Sequence, residues 1–244
     1  MTFKRRGATC LSRPYEYKPM NPSHSPQLPC PSAILWDMDG TLIDQTAAII
    51  RCYREVITEM GYPVPDDEVI RRSLGGVMAA TMGIFVGVGR MEEACKAFRA
   101  RFSAIMFDGL IVLPGGMELI ERAYKARIPQ VLFTNKHGDT ARQVSRYAGF
   151  AKYVPNCIGS ADTQWHKPEA ELTQHVLQQI EASAEGAIII GDSPTDIAVA
   201  KNAGLSCYCV ATGAHSVDEL LEAGAGAAFE SLLELGNSID IPKP

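Results

Sequence analysis

No uninterrupted apolar stretch of this 244-residue chain approaches the roughly 20 residues needed to cross a bilayer. Its most apolar runs, residues 187–191 and 103–107, are short. No apolar h-region accompanies the basic residues near the N-terminus, so no secretory signal is expected. The seven cysteines (Cys10, Cys30, Cys52, Cys95, Cys157, Cys207 and Cys209) contain no C-x-x-C pair and no zinc spacing. Reduced, mostly buried thiols in a cytoplasmic protein are therefore expected. Cys207 and Cys209 lie two apart in a strand-like run and share a face rather than form a bridge. Positive charge is not in excess: 23 Lys+Arg against 28 Asp+Glu leave a net charge of −5. That argues against nucleic acid or an anionic membrane as the main partner. No internal repeat is visible.

With 46% hydrophobic and 21% charged residues, the composition is that of a globular chain. The length suits one large domain or a core with an insertion. Residues 1–31 are different material. They hold six of the fifteen prolines, five basic residues and one acid, Glu16. Removing that +4 leaves −9 for the remainder. The X-Pro steps favour extended chain, so 1–31 reads as a flexible, proline-rich basic extension, with Met20 as an alternative start.

Beyond it, Ala33 to Trp36 reads as a buried strand running into Asp37, with Asp39-Gly40-Thr41 as the following loop. Residues 45–113 carry helical patterns and no convincing strand: 46–60, 66–73, 78–86 and 91–106, punctuated by glycine pairs. After Leu113 the pattern alternates. Strands are expected at 129–134, 153–158, 187–190, 205–210 and weakly at 226–229. Helices are expected at 117–126, 139–147, 169–180, 194–202 and 217–222, with a last turn at 232–235. Continuous apolar strands alternating with helices indicate an α/β fold: a Rossmann-like parallel sheet sandwiched by helices. The domains read as a core of 32–44 and 114–244 interrupted by an all-helical unit at 45–113.

Ligands of such sheets collect at the carboxyl ends of the strands. The residues there are Asp37 and Asp39, Thr134 and Asn135, and Asp192 and Asp196, with Lys167 before Pro168 as a basic candidate. Taken singly, each has an ordinary reading as a helix cap or surface turn. A calcium loop starting at Asp37 is disfavoured, because Ala48 stands where its twelfth-position acid would be. Taken jointly, converging carboxylates repel one another unless a cation lies between them. Mg²⁺ suits such oxygen donors and keeps sites for phosphate oxygens. A carboxylate nucleophile beside Mg²⁺ and Lys167 can attack phosphorus, while Thr134 and loop N–H groups hold the transferring oxygens. Asp39 can protonate the leaving oxygen and then activate water. Gly40 lets the backbone turn tightly beside the phosphate.

In these four segments the chain resembles the haloacid dehalogenase superfamily. The segments are Asp37-Met38-Asp39-Gly40-Thr41, Thr134 in Leu132-Phe133-Thr134-Asn135-Lys136, Lys167-Pro168, and Gly191-Asp192-Ser193-Pro194-Thr195-Asp196. The likeness covers about residues 32–235. The helical segment is similar to the cap of the phosphoglycolate phosphatase-like and β-phosphoglucomutase-like branch. The resemblance implies Asp37 as nucleophile and Mg²⁺ ligand. It implies Asp39 as general acid/base and a ligand through its backbone carbonyl, and Asp192 as the third metal ligand. Asp196 would stand behind these or bind through water. Thr134 and Lys167 would bind the phosphoryl group, with Asn135 and Lys136 lining the loop. The second proline often found after Lys167-Pro168 in the family is replaced by Glu169-Ala170, which touches helix entry rather than chemistry. Retention of Asp39 argues against dehalogenation and against phosphonoacetaldehyde hydrolysis.

The expected activity is a Mg²⁺-dependent phosphatase acting on a small phosphorylated metabolite, nominally phosphoglycolate. The alternatives are a β-phosphoglucomutase-like mutase and, further off, a non-catalytic phospho-acceptor. Arg72 and Gly76, in the loop region of the helical unit, are candidate substrate contacts, since an arginine there can fork a second anion. His137, His166 and Trp165 flank the motifs and read as loop or packing residues. Met78, Met82, Phe85, Met91 and Met106 read as packing of the helical unit. Composition names no partner protein and leaves monomer or homodimer open.

Overall fold

Four apolar residues in a row, Ala33–Trp36, form β1, which is completely buried. The computed structural model, which describes residues 27–243, places β1 in the middle of a six-stranded parallel sheet. The other strands are β4 (Gln130–His137), β5 (Cys157–Ser160), β6 (Ala187–Gly191), β7 (Ser206–Val210) and β8 (Ala227–Phe229). Their order is β5-β4-β1-β6-β7-β8. The side-chain period of two divides each strand between two cores. Ile34 and Trp36 join Leu132, Ile188 and Tyr208 on one face, while Leu35 joins Phe133, Ile189 and Cys207 on the other. Each fully buried aliphatic side chain stabilises by about 1.5–3 kcal/mol. Truncating Ile34 to alanine in so tight a layer would cost about 2–5 kcal/mol. The Trp36 indole N–H, buried in this layer, donates to Gln130 Oε1 at 2.9 Å.

The chain runs from β1 outward to β4 and β5, then crosses back to β6 on the other side of β1. That reversal opens a crevice at the carboxyl end of β1. The covering helices include α5 (Gly116–Lys125), α6 (Gly138–Ala148), α7 (Ala170–Gln179) and α8 (Pro194–Ala203). Two short ones follow, α9 (Val217–Glu222) and α10 (Leu232–Ser238). In α8, proline stands in the first turn and Gly204 closes the end with φ +71, as their backbone preferences favour.

Between β1 and α5 stand α1 (Thr46–Glu59), α2 (Asp67–Arg72), α3 (Met78–Val86) and α4 (Met91–Ile105). They enclose a third apolar cluster of their own, with Tyr53, Met82, Phe98 and Phe102 buried in it.

Several details differ from the sequence reading. The segment 45–113 does contain a strand, β3 (Ile111–Val112), which pairs antiparallel with β2 (Ile43–Asp44). Two-residue partners are too short to show a period, yet this ribbon carries the chain out of the sheet layer and back. β4 continues past Thr134 to His137, and the register with β5 shifts between Phe133 and His137, so residues 134–136 bulge from the ladder. β5 starts only at Cys157, because the chain is still turning at 153–154: the Tyr153 and Val154 N–H groups both donate to Phe150 O at 2.9 Å. α10 extends to Ser238. The expected extension ends before residue 31. Leu28 is buried, donates its N–H to Ser238 O at 2.7 Å and accepts from the Asp240 N–H at 2.9 Å, tying the chain to the core. Met20 and the rest of 1–26 lie outside the described residues. No helix among the described residues is long and apolar enough to cross a membrane.

Candidate active site

The turn after β1 is built on one carbonyl. Met38 O accepts from the N–H groups of Thr41, Leu42 and Ile43, at 3.2, 2.9 and 3.0 Å. The loop therefore folds back at once, leaving Asp37 at the strand end and Asp39 on the turn. Gly40 adopts φ +82, a conformation that L side chains rarely take. A Cβ at Gly40 would lie 2.3 Å from Asp192 Oδ2, and one at Gly213 only 1.8 Å from the same oxygen. Both glycines therefore form a bare cradle for the Asp192 carboxylate. Thr41 Oγ1 fixes its other oxygen with a donated hydrogen bond of 3.0 Å, and Thr212 Oγ1 donates to Gly40 O at 2.5 Å. A Cβ at Gly191 would meet Asp196 in the same way, 2.3 Å from its Cγ.

At the centre is Lys167, almost wholly buried. Its Nζ donates to Asp37 Oδ1 at 2.9 Å and to Asp196 Oδ1 at 2.8 Å, and lies over the Phe133 ring. The second Asp196 oxygen accepts from Ser193 Oγ at 2.6 Å. Oxygens of Asp37, Asp192 and Asp196 all lie within 4.8 Å of one another. Three buried acids around one lysine leave an excess of negative charge, which shows in their proton affinity. Burial pushes Asp37 up to about 7; Lys167 opposes this and Asp196 adds to it. Asp192 is raised well above the ordinary 3.8, again by burial first and then by Asp37 and Asp196. Burial works against the Lys167 charge, but Asp196 and Asp37 outweigh it and hold the ammonium protonated. An all-oxygen donor set of this charge fits a hard divalent cation.

The Asp39 side chain stands apart from this cluster. Its Oδ2 pairs with Lys136 Nζ at 2.9 Å, while its buried Oδ1 has no hydrogen-bond partner. Lys136 also lies 4.9 Å from the centre of the Phe102 ring, so it links the turn to α4. Thr134 Oγ1 accepts the Lys136 N–H at 3.2 Å, and Asn135 Nδ2 donates to Gly75 O at 2.9 Å. The bulge in β4 thus presents Thr134, Asn135 and Lys136 to the crevice. A cavity of about 300 Å³ opens there between sheet and helices, lined by Asp37, Asp39, Thr134, Asn135, Lys136 and Gly76, among others.

One candidate does not reach it. Arg72 is held outside, paired with Glu68 at 2.9 Å and with Glu219 of α9 at 3.1 Å. The acids on its own helix turn and on the facing core helix capture the guanidinium before it can turn inward. His137 and His166 do line the cavity, whereas Trp165 packs near His175 and the second core cluster. Sequence reasoning passed over Thr41, Ser193 and Gly213, which hold the acids in place. Gly213 follows β7, so the strand-end rule applied to that strand as well would have pointed to it. Phe98, Arg99 and Phe102, which line the cavity from α4, gave no signal beyond helical periodicity.

The model for haloacid dehalogenase-like hydrolases matches residues 34–210. The chain belongs to that family. This hydrolase is 26% identical over 225 residues to the phosphoglycolate phosphatase of Rhodospirillum rubrum, covering 88% of this chain and 93% of the relative. It is 30% identical over 191 residues to a 5'-nucleotidase of Pseudomonas aeruginosa, covering 77% and 86%. Among solved structures, a haloacid dehalogenase-like family hydrolase from Streptococcus pneumoniae superposes with a TM-score of 0.76 at 25% identity, over 84% of this chain and 96% of that one.

Proposed function

We propose that this hydrolase is a Mg²⁺-dependent phosphatase that cleaves a small phosphomonoester through an aspartyl-phosphate on Asp37. The observation that carries this reading is the Asp37 carboxylate itself. It is buried at the carboxyl end of β1, 2.9 Å from the Lys167 ammonium, and opens onto a cavity roofed by helices. The family supports it, as do relatives named for phosphoglycolate and for nucleotides. Mg²⁺ would be held by Asp37, the Asp39 backbone carbonyl and Asp192, with Asp196 behind them. Once bound, it would offset the excess acid charge and the charge of the phosphoryl oxygens.

In the first half-reaction an Asp37 oxygen attacks phosphorus, and the bond from phosphorus to the leaving alcohol oxygen breaks. Asp39 gives that oxygen its proton. In the second, water attacks the phosphorus of the acyl phosphate, Asp39 takes the water's proton, and inorganic phosphate departs with Asp37 restored. Thr134, Asn135 and Lys167 orient the transferring group, and Lys167 offsets its charge. For Asp39 to act, its carboxyl group must leave the Lys136 ammonium, enter the cycle protonated and reach the leaving oxygen; the proton it takes from water in the second half-reaction restores that form. Residues 45–113 would serve as the cap that keeps water from the first half-reaction. The buried free thiols Cys52, Cys95, Cys157, Cys207 and Cys209 support a reducing, cytoplasmic setting.

The test is phosphate release from a panel of phosphorylated metabolites with and without Mg²⁺, with acid-quenched protein weighed for an added phosphoryl group. Release that needs both Mg²⁺ and Asp37 supports the reading. Isomerised sugar phosphate without net phosphate release would replace it with a mutase.

A further inference from the structure

The wall that faces the leaving group is made of the wrong material for glycolate. Opposite the acids, the cavity is lined by Ile49 and Tyr53 of α1, Met78 of α3, and Phe98 and Phe102 of α4. The three rings form a continuous row, with centroids 4.8 Å apart for Tyr53 and Phe98 and 5.5 Å for Phe98 and Phe102. A two-carbon carboxylate would leave that apolar surface uncovered and bring its own charge against it, which is unfavourable on both counts. The cavity volume of about 300 Å³ also has room for more than two carbons beside the phosphate.

One cation belongs to this wall. The helical unit has seven arginines. Six are in ion pairs: Arg51 with Asp108, Arg54 with Asp67, Arg71 and Arg72 with Glu68, Arg90 with Glu93 and Arg101 with Glu59. Arg99 lines the cavity. Among the described residues it has neither an ion-pair nor a hydrogen-bond partner. The other cation there, Lys136, is already paired with Asp39. A guanidinium left free on the wall of a binding cavity is available for a planar acceptor such as a carboxylate.

Resting on the phosphatase reading, we infer that Arg99 and the Tyr53-Phe98-Phe102 row select the substrate. The leaving alcohol carries an apolar, ring-like body whose far end bears an anionic acceptor. The body covers the row, and Arg99 holds the acceptor at the end remote from phosphorus.

Four phosphomonoesters of alkyl-type alcohols separate the two requirements. They are phosphoglycolate (anion without apolar body), benzyl phosphate (apolar body without anion), 4-carboxybenzyl phosphate (both) and glycerol 1-phosphate (neither). The expected order of kcat/KM places 4-carboxybenzyl phosphate first. It should lead benzyl phosphate by roughly tenfold through the charged contact. It should lead phosphoglycolate by about tenfold or more through the covered wall. In Arg99→Gln the ratio of 4-carboxybenzyl to benzyl phosphate should fall to near one, chiefly through KM. In Phe102→Leu the ratio of benzyl to glycerol phosphate should fall. Circular dichroism and melting of both variants check that the fold survives. Preference for phosphoglycolate or glycerol 1-phosphate, or a carboxybenzyl-to-benzyl ratio unmoved by Arg99→Gln, overturns the inference and leaves the phosphatase intact. If none of the four releases phosphate and acetyl phosphate does not phosphorylate Asp37, the phosphatase reading falls and this inference with it.

Discussion

The floor and the roof of the cavity follow opposite rules. On the floor, Lys167 bonds Asp37 and Asp196, the carboxylate oxygens of Asp37, Asp192 and Asp196 lie within 4.8 Å of one another, and glycines 40, 191 and 213 are cleared around them. Nothing there can move without unpairing a buried charge, which is costly. On the roof, apolar side chains from three helices meet the same cavity, and its free charge, Arg99, has no partner among the described residues. Such a surface tolerates exchange of one apolar group for another at small cost. Chemistry on the floor is fixed by covalent spacing along strand ends, while choice of leaving group on the roof is spread over helices far apart in sequence. Changes to the floor should therefore abolish turnover, and changes to the roof should redirect it.

The largest effect should come from Asp37→Asn. The amide keeps the size of the carboxylate but cannot attack phosphorus, so phosphate release should fall by about a thousandfold or more, with no phosphorylated protein on acid quench. Removing a charge from an over-acidic cluster should at the same time raise the melting temperature of the metal-free protein. Loss of activity together with a gain in stability would mark a site strained for function; loss of both would mean that Asp37 is a structural ion-pair member.

Gly213→Ala tests the cradle. Its Cβ would stand 1.8 Å from Asp192 Oδ2, so the carboxylate or the loop after β7 must shift. The expected result is a loss of about 1–3 kcal/mol in stability, as for other overpacked sites. A larger proportional loss should appear in Mg²⁺ affinity, read by titrating activity with the metal. Gly61→Ala is the control for space, because no atom beyond its chain neighbours lies within 4 Å of its Cβ position. It retains only the strain of φ +80.

The acids also set a pH dependence for the chelated protein. Folding raises Asp37 from 3.8 to about 7 and raises Asp192 in the same direction. A folded-state value above the unfolded one means that the folded form binds more protons, so stability falls as pH rises between them. With EDTA, the melting temperature should decline from about pH 4 to pH 7. Lys167 is protonated in both states over that window and adds no slope. Saturating Mg²⁺ should flatten the decline, and at 100 times its Kd should add about 2.7 kcal/mol. A chelated protein that becomes more stable over that window would mean that the acids are ionised and satisfied by Lys167 alone.

The same contrast explains what could be read from the sequence. The parallel sheet was legible, because β1 and β6 are continuous apolar runs, and Asp37 and Asp192 stood out as candidates because each directly follows one of them. The β2–β3 ribbon was not, since two residues carry no period. Nor was the bulge at 134–136, which depends on the register of β4 against β5. Phe98 and Phe102 fall within the expected helix at 91–106, but a period of 3.6 cannot say that side chains on it border a cavity. Arg99 is conspicuous only because its six neighbours of the same type are paired, a fact of three dimensions. Arg72 was misread for the complementary reason: proximity to the Gly75-Gly76 loop suggested an inward guanidinium, and the distant Glu219 holds it outside.

The smallest effect should be that of Arg72→Gln. The side chains of Arg72 and Glu219 are 49% and 42% exposed. Such exposed pairs contribute between nothing and about 1 kcal/mol. Yet this pair joins α2 to α9, and Arg71 Nη1 reaches Gly213 O of the core at 3.0 Å beside it. If these contacts only decorate the surface, Arg72→Gln leaves melting and kinetics within error. If they hold the roof over the floor, kcat and KM rise together for every phosphomonoester as opening becomes easier, without altering the preference among them. A change in preference confined to anionic substrates would return Arg72 to the substrate and take from Arg99 its place as the only roof cation that chooses.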